Sequence, residues 1–184
     1  MFVSVLGLVP DMERVVNLCD KYDVILLEDT CESMGSKYRD RKLGTFGKMS
    51  SFSTFFGHHI STIEGGFVST DDKDLYDILV SIRAHGWDRD LDTEKQIELQ
   101  QDWDVSTFNS LYTFYYQGFN VRATDLQAYI GLTQIDKLDG WGVRREYNYL
   151  TYQELIKNNY WKPNSELNDF TSNFAYPVIH PNRD

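Results

Sequence analysis

Cysteine is scarce in this chain: Cys19 and Cys31 are its two copies, twelve positions apart. Two thiols cannot build a four-cysteine iron–sulfur or zinc site, and their spacing fits no metal-ligand pattern, so no metal is expected. Such usage suits a reducing compartment, and a cytoplasmic location is the expectation. Positive charge is short as well: 18 Lys and Arg stand against 28 Asp and Glu, for a formal net charge of −10. A chain this acidic has no broad basic face, which argues against nucleic acid or an anionic membrane as a partner. A small anionic ligand held by a few local donors remains open. Long apolar runs are also lacking: the sequence shows no eighteen-residue apolar segment, no secretory leader and no internal repeat.

What is present is enough for a packed core. Hydrophobic residues make up 41% and aromatics 15% of 184 residues, a length that suits one domain or one domain with a piece of another. Met1 to Gly7 reads as a short strand entering a turn. Met12, Val15, Val16 and Cys19 then recur at helical spacing, which predicts a helix over about residues 10–22. Val24-Ile25-Leu26-Leu27 is a continuous apolar run, the pattern of a strand buried on both faces. Helix followed by buried strand predicts an α/β fold around a parallel sheet. Glu28, Asp29 and Glu32 follow that strand, at the carboxyl end where open α/β sheets place ligands. Asp29 or Thr30 could equally be a helix cap.

Gly35 to Gly47 predicts a hairpin-like excursion, and Met49–Ser53 and Gly66–Thr70 two further strands. Asp71 and Asp72 are placed to cap a helix whose Leu75, Ile78, Leu79 and Ile82 face the core, ending near His85-Gly86. Residues 88–105 carry seven carboxylates and read as a long acidic surface loop. The aromatic stretch Phe108–Phe119 reads as strand or loop on the core. A helix is expected from about Asp125 to Leu138, a break at Gly140-Trp141-Gly142, and a second helix over about Val143–Lys157. A turn at Lys162-Pro163-Asn164 and a strand over Asn173–Ile179 complete the expectation.

The fourteen residues from Ser53 to Gly66 hold two adjacent histidines, His58 and His59, and Glu64 ahead of a glycine pair. Histidine titrates near neutral pH and glycine lets the backbone turn sharply, so this stretch is a candidate for proton chemistry. An ordinary hydrogen-bonded loop is the alternative.

Four segments in order resemble the DegT/DnrJ-type sugar aminotransferase family. They are Glu28-Asp29-Thr30-Cys31-Glu32, Gly44-Thr45-Phe46-Gly47, Ser53 with Ile63-Glu64-Gly65-Gly66, and Gly118-Phe119-Asn120-Val121-Arg122-Ala123-Thr124-Asp125-Leu126-Gln127-Ala128. The resemblance covers almost the whole chain. It implies the aspartate-aminotransferase fold (fold type I) and pyridoxal 5'-phosphate or pyridoxamine 5'-phosphate as cofactor. It implies a partial large domain over residues 1–142 and, over 143–184, a linking helix with the start of a small C-terminal domain. Counting back from Glu64-Gly65-Gly66, the family's cofactor-binding lysine position is His58, and an imidazole cannot form a stable imine.

Within the family that replacement marks sugar 3-dehydratases, which remove the C-3 hydroxyl of a nucleotide-linked 4-keto-6-deoxy sugar and use glutamate to restore the amine form of the cofactor. Phe55–Gly66 with Arg83–Arg89 is similar to the branch acting on GDP-4-keto-6-deoxy-D-mannose. The branch that carries an iron–sulfur cluster is disfavoured by the two cysteines. The resemblance implies His58 as the proton-transferring residue, Asp29 at the pyridinium nitrogen, Glu32 (where the family more often has Gln) at the ring hydroxyl, and Ser53 at the phosphate. It implies Asn120 at the cofactor phosphate of a neighbouring subunit, hence a homodimer with a shared site, and Arg89 and Arg122 as substrate contacts. Amino transfer, an inactive family member serving as a binding subunit, and an unrelated α/β binding protein are the other classes. The family's upstream phosphate-binding Gly-Ser loop and much of its small domain have no counterpart here. The chain is therefore expected to be a fragment of a longer protein, inactive by itself.

Overall fold

The computed structural model describes residues 1–157 and 169–182. Its central sheet has strands β1 (Phe2–Val3), β2 (Leu27–Asp29), β5 (Met49–Ser53) and β6 (Gly66–Ser69) in that order, while β3 (Lys37–Tyr38) and β4 (Arg41–Lys42) form a separate hairpin. β1, β2 and β5 run parallel, with Asp29 opposite both Val3 and Ser51, and β6 closes the sheet antiparallel to β5. The helices are α1 (Met12–Lys21), α2 (Lys73–Ile82), α3 (Thr93–Asp102), α4 (Thr107–Ser110), α5 (Asp125–Ile135) and α6 (Leu138–Leu155). None is long and apolar enough to cross a membrane. Close packing divides the chain into two units, residues 1–69 with 125–184 and residues 70–124.

In the first unit, α1 begins where the sequence places it. Asp11 caps the helix by accepting from the Arg14 amide at 3.0 Å, while Glu13 and Lys21 complement the helix dipole at its two ends. The predicted apolar face is the one that packs. Met12 is fully buried with Tyr38 and Leu43, and Val15, Leu26, Phe2 and Phe46 pack around them. The strand after α1 is shorter than its apolar run suggests. Val24 and Ile25 are exposed, and pairing with β5 starts at Leu27. Val24 is still tied to the end of the helix, its amide donating to the Cys19 carbonyl at 2.9 Å. The hairpin is present, with Arg39 in the left-handed region at its two-residue turn.

Two expectations in this unit are corrected. α6 runs without a break through Gly140-Trp141-Gly142. Isolated helical glycines cost about 1 kcal/mol each, an amount that packing readily offsets, and Gly142 is buried against Phe170. Residues 173–179 form no strand: Phe174 sits at a bend, and its amide donates to the Leu6 carbonyl at 2.9 Å. The turn expected at Lys162-Pro163-Asn164 lies outside the described residues.

The second unit overturns the acidic-loop expectation. Residues 93–102 are helical, capped by Asp92 accepting from the Lys95 amide at 2.9 Å. The apolar residues among the carboxylates carry the packing: Leu91 and Leu99 join Val80 and Tyr115 in a core of their own. Because α3 packs there, Val80 is the buried apolar residue of α2, and Leu75, Ile78, Leu79 and Ile82 are only half-buried. Asp77 is buried too, taking both carboxylate oxygens to Lys73 Nζ at 2.5 and 2.6 Å.

Candidate active site

The first unit brings Asp29, Glu32, Ser53 and His58 to the carboxyl ends of β2 and β5. Asp29 is the last residue of β2 and Ser53 the last of β5. Side chains alternate along a strand, so Glu28 and Asp29 face opposite ways. Glu28 turns into the protein, 2% exposed, and accepts three backbone amides: Gly44 at 2.8 Å on Oε2, and Phe46 at 2.7 Å and Gly47 at 2.6 Å on Oε1. The Gly44–Gly47 motif thus serves as a ring of donors around one buried carboxylate. Asp29 faces the other way. Partial burial opposes its ionisation, but donation from the Cys31 thiol and amide and from the Ser51 hydroxyl, with the charge of His58, outweighs that and holds it below the ordinary aspartate value. Burial and the neighbouring Asp29 push the Cys31 thiol up to about 11, so it acts here as a donor and not as a nucleophile.

His58 lies in the loop after β5, its amide donating to the Phe55 carbonyl at 3.0 Å. Its Nδ1 stands 2.7 Å from the Cys31 carbonyl oxygen. A carbonyl can only accept, so Nδ1 carries the proton, and in the neutral ring Nε2 keeps a lone pair. The β5–β6 loop is braced from inside by Thr54 and Thr62, whose hydroxyls are 2.6 Å apart, and by the Thr54 amide on the Gly65 carbonyl at 2.9 Å. Gly65 has a φ of +147°, a conformation closed to most side chains. α5 braces it from outside: Gln134 exchanges two bonds with the Ser61 backbone, at 3.0 and 2.7 Å, and Gln127 Nε2 donates to the Glu64 carbonyl at 2.7 Å.

Glu32 has a structural task, its Oε2 accepting the Leu6 amide at 2.7 Å. Ser53 Oγ accepts from the Phe55 amide at 3.2 Å. The other three expected site residues belong to the second unit. Asn120 and Arg122 are exposed there, with Asn120 bridged to Ala84. The Arg89 guanidinium lies 3.7 Å over the Trp87 ring and donates to the Leu111 carbonyl. Sequence reasoning missed Glu28, Cys31 and Gln134 as determinants. The alternation of Glu28 with Asp29 was the available signal for the first; the other two act through carbonyls and amides that no motif displays.

His59 is 4% exposed, with Nε2 2.9 Å from the Ser172 carbonyl. Burial, with the nearby Arg145 and His58 charges, lowers it from 6.5 to about 4 despite that carbonyl. Above pH 6.5 both folded and unfolded chains hold it neutral; as pH falls toward 4 the unfolded chain binds a proton that the folded one refuses, so stability is lost. The expected loss is roughly 3 kcal/mol by pH 4 from this group. Urea midpoints measured from pH 7 to 4 should fall more steeply in the wild type than in His59→Gln, and parallel curves would refute the assignment.

The chain matches the DegT/DnrJ/EryC1/StrS aminotransferase family over residues 1–184. It belongs to that family. Among curated members, it is 37% identical over 177 residues to GDP-4-keto-6-deoxy-D-mannose 3-dehydratase of Yersinia pseudotuberculosis, covering 96% of this chain and 44% of the relative. It is 40% identical over 145 residues to the same-named enzyme of Escherichia coli O55:H7, covering 78% and 37%. The family also holds amino-transfer enzymes: GDP-perosamine synthase of Escherichia coli O157:H7 is 34% identical over 158 residues, 86% of this chain and 38% of the relative. This DegT/DnrJ/EryC1/StrS chain thus spans less than half the length of these curated relatives.

Solved structures agree with the fold. A variant of GDP-4-keto-6-deoxymannose-3-dehydratase with bound GDP-perosamine superposes with a TM-score of 0.78 at 34% identity, covering 94% of this chain and 44% of that one. The E. coli enzyme with bound hydrated pyridoxal phosphate gives 0.79 at 31%, covering 99% and 47%. A third, with a trapped pyridoxal phosphate–glutamate geminal diamine, gives 0.78 at 30%, covering 99% and 47%. The fold is that of the pyridoxal-phosphate-dependent aminotransferases, and the family is dependent on that cofactor. The donor set here fits such a group: Asp29 is held anionic, as a protonated pyridine nitrogen requires, beside an imidazole with a free lone pair.

Proposed function

We propose that the full-length protein is a nucleotide-sugar 3-dehydratase that removes the C-3 hydroxyl of GDP-4-keto-6-deoxy-D-mannose, with glutamate as amino donor. The observation that carries this reading is the His58 geometry, with Nδ1 committed to the Cys31 carbonyl and Nε2 available as a base; the resemblance of the motifs puts this residue in the register of the family's lysine. Pyridoxamine 5'-phosphate, when bound, supplies an amine for the C-4 ketone and a ring that accepts electrons. Asp29 holds the ring nitrogen protonated, and its depressed pKa keeps the charge in place across the neutral range. His58 Nε2 would take the proton given up at the carbon that bears the cofactor's amine and return it to the departing C-3 hydroxyl, which would leave as water with the electron pair of the broken C–O bond. Ser53 would serve the phosphate, and Glu32, whose Oε2 accepts the Leu6 amide, the ring hydroxyl. Asn120 reaches the phosphate in a neighbouring subunit, so the working unit is a homodimer, and Arg89 and Arg122 contact the nucleotide-sugar. The location is cytoplasmic, where nucleotide sugars are made for surface polysaccharide.

The test is turnover by the purified full-length protein. Addition of pyridoxamine 5'-phosphate should produce glutamate-sustained loss of the C-3 hydroxyl from GDP-4-keto-6-deoxymannose. A product that carries a new C-4 amine and retains its C-3 hydroxyl would replace this reading with amino transfer. Absence of any spectral change with either cofactor form would remove the enzyme reading altogether.

A further inference from the structure

We propose that His59 is a positioning residue for His58: it locks the β5–β6 loop onto the buried Ser172 peptide and so sets the reach of the His58 Nε2. The catalytic consequence rests on the dehydratase reading above; the geometry does not. The His59 ring is enclosed, and since the Ser172 carbonyl can only accept, Nε2 carries the proton. Nδ1 is then a bare lone pair, and it has no partner among the described residues. An unpaired buried nitrogen costs about 1–3 kcal/mol. A phenylalanine or leucine would fill the same space without that cost, so what the position gains from histidine is the Nε2 donor.

The acceptor is unusually well fixed. The Ser172 amide donates to Ser36 Oγ at 2.9 Å, and Ser36 Oγ donates onward to the Gly7 carbonyl at 2.9 Å. Gly7 has a φ of +78°, and a Cβ there would stand 2.5 Å from the Ser172 carbonyl oxygen, so the close approach depends on glycine. Asn173 is held on both sides, its Nδ2 donating to the Leu6 carbonyl at 3.0 Å and its own carbonyl accepting from Arg145 Nη1 at 3.0 Å. The Phe174 ring then packs on both imidazoles, with centroids 5.1 Å from His58 and 6.1 Å from His59. Among the described residues the loop therefore meets a rigid wall through one side-chain hydrogen bond, from the residue next to the base. Because burial keeps His59 neutral near pH 7, it makes this contact without setting a positive charge beside His58.

The experiment follows the two imidazole N–H protons by NMR in the full-length protein labelled with ¹⁵N-histidine. In the wild type, His58 Nδ1–H and His59 Nε2–H should exchange with solvent through one shared opening, with equal dependence on sub-denaturing urea. Unequal dependence overturns the proposal without any variant. In His59→Phe, which keeps the ring and loses the donor, His58 Nδ1–H exchange should quicken by at least about 10-fold. Under the dehydratase reading kcat should fall about 10-fold with little change in KM, as misplacement of a base predicts. His59→Gln, whose amide can still donate, should recover most of both losses. A folded His59→Phe with unchanged exchange refutes the role. If the wild type fails to turn over the nucleotide sugar, the dehydratase reading fails, and the exchange measurements still decide the lock.

Discussion

Under the dehydratase reading, His58→Lys is expected to abolish dehydration while gaining a covalently attached cofactor that absorbs in the visible. Lysine supplies a primary amine, and amine and aldehyde condense. The same change removes both uses of the imidazole. The Nδ1 bond to the Cys31 carbonyl is lost, and so is the Nε2 lone pair, because the lysine nitrogen that replaces the ring is taken up in the bond to the cofactor. A positioned acid–base group contributes about 10²–10⁴-fold, so the loss should be on the order of 10³-fold. Absorbance spectra before and after borohydride report the attachment, and single-turnover assays report the chemistry. Dehydration at the wild-type rate in His58→Lys would mean that another group moves the proton. The companion His58→Asn should lose activity without gaining the attachment, which separates loss of the base from capture of the cofactor.

The second large effect is on stability. Glu28→Ala should destabilise the protein by about 3–5 kcal/mol, because three inward-pointing amides lose their one acceptor. Against a typical total of about 5–15 kcal/mol, that is enough to leave much of the protein unfolded at 37 °C. Glu28→Gln should cost roughly half as much. Its remaining oxygen can still serve Phe46 and Gly47, but its NH₂ would face the Gly44 amide, donor against donor. Urea unfolding gives the comparison, and a Glu28→Ala midpoint within error of wild type would show that water replaces the carboxylate at little cost. The effect should reach the site as well, since Glu28 and Asp29 are consecutive on β2 and a shift of one displaces the other.

Much of this site is legible in the chain itself. The helix over residues 12–21, the hairpin, β5 and β6 follow from spacing and turn residues, because those patterns act through nearest neighbours and local sterics. The family match follows from four short motifs, and it bears out the fold that they imply. Errors came where packing overrode local preference. Two glycines did not break α6, since Phe170 packs at Gly142, and seven carboxylates did not prevent α3, since Leu91 and Leu99 found Val80 and Tyr115. Val24 and Ile25 carry strand propensity but no ladder, which needs a neighbour as well as an apolar run.

The two histidines show the division most clearly. By itself the sequence determined that two adjacent imidazoles precede Glu64-Gly65-Gly66, because register is a property of the chain. It could not distinguish what the adjacent rings do. That was decided by segments more than a hundred residues apart, which set a carbonyl of residue 172 beside His59 and left the carbonyl of Cys31 for His58. A hydrogen bond to a backbone oxygen depends on where the main chain runs and not on which residue bears it, so one imidazole became a buried tether and the other kept its lone pair.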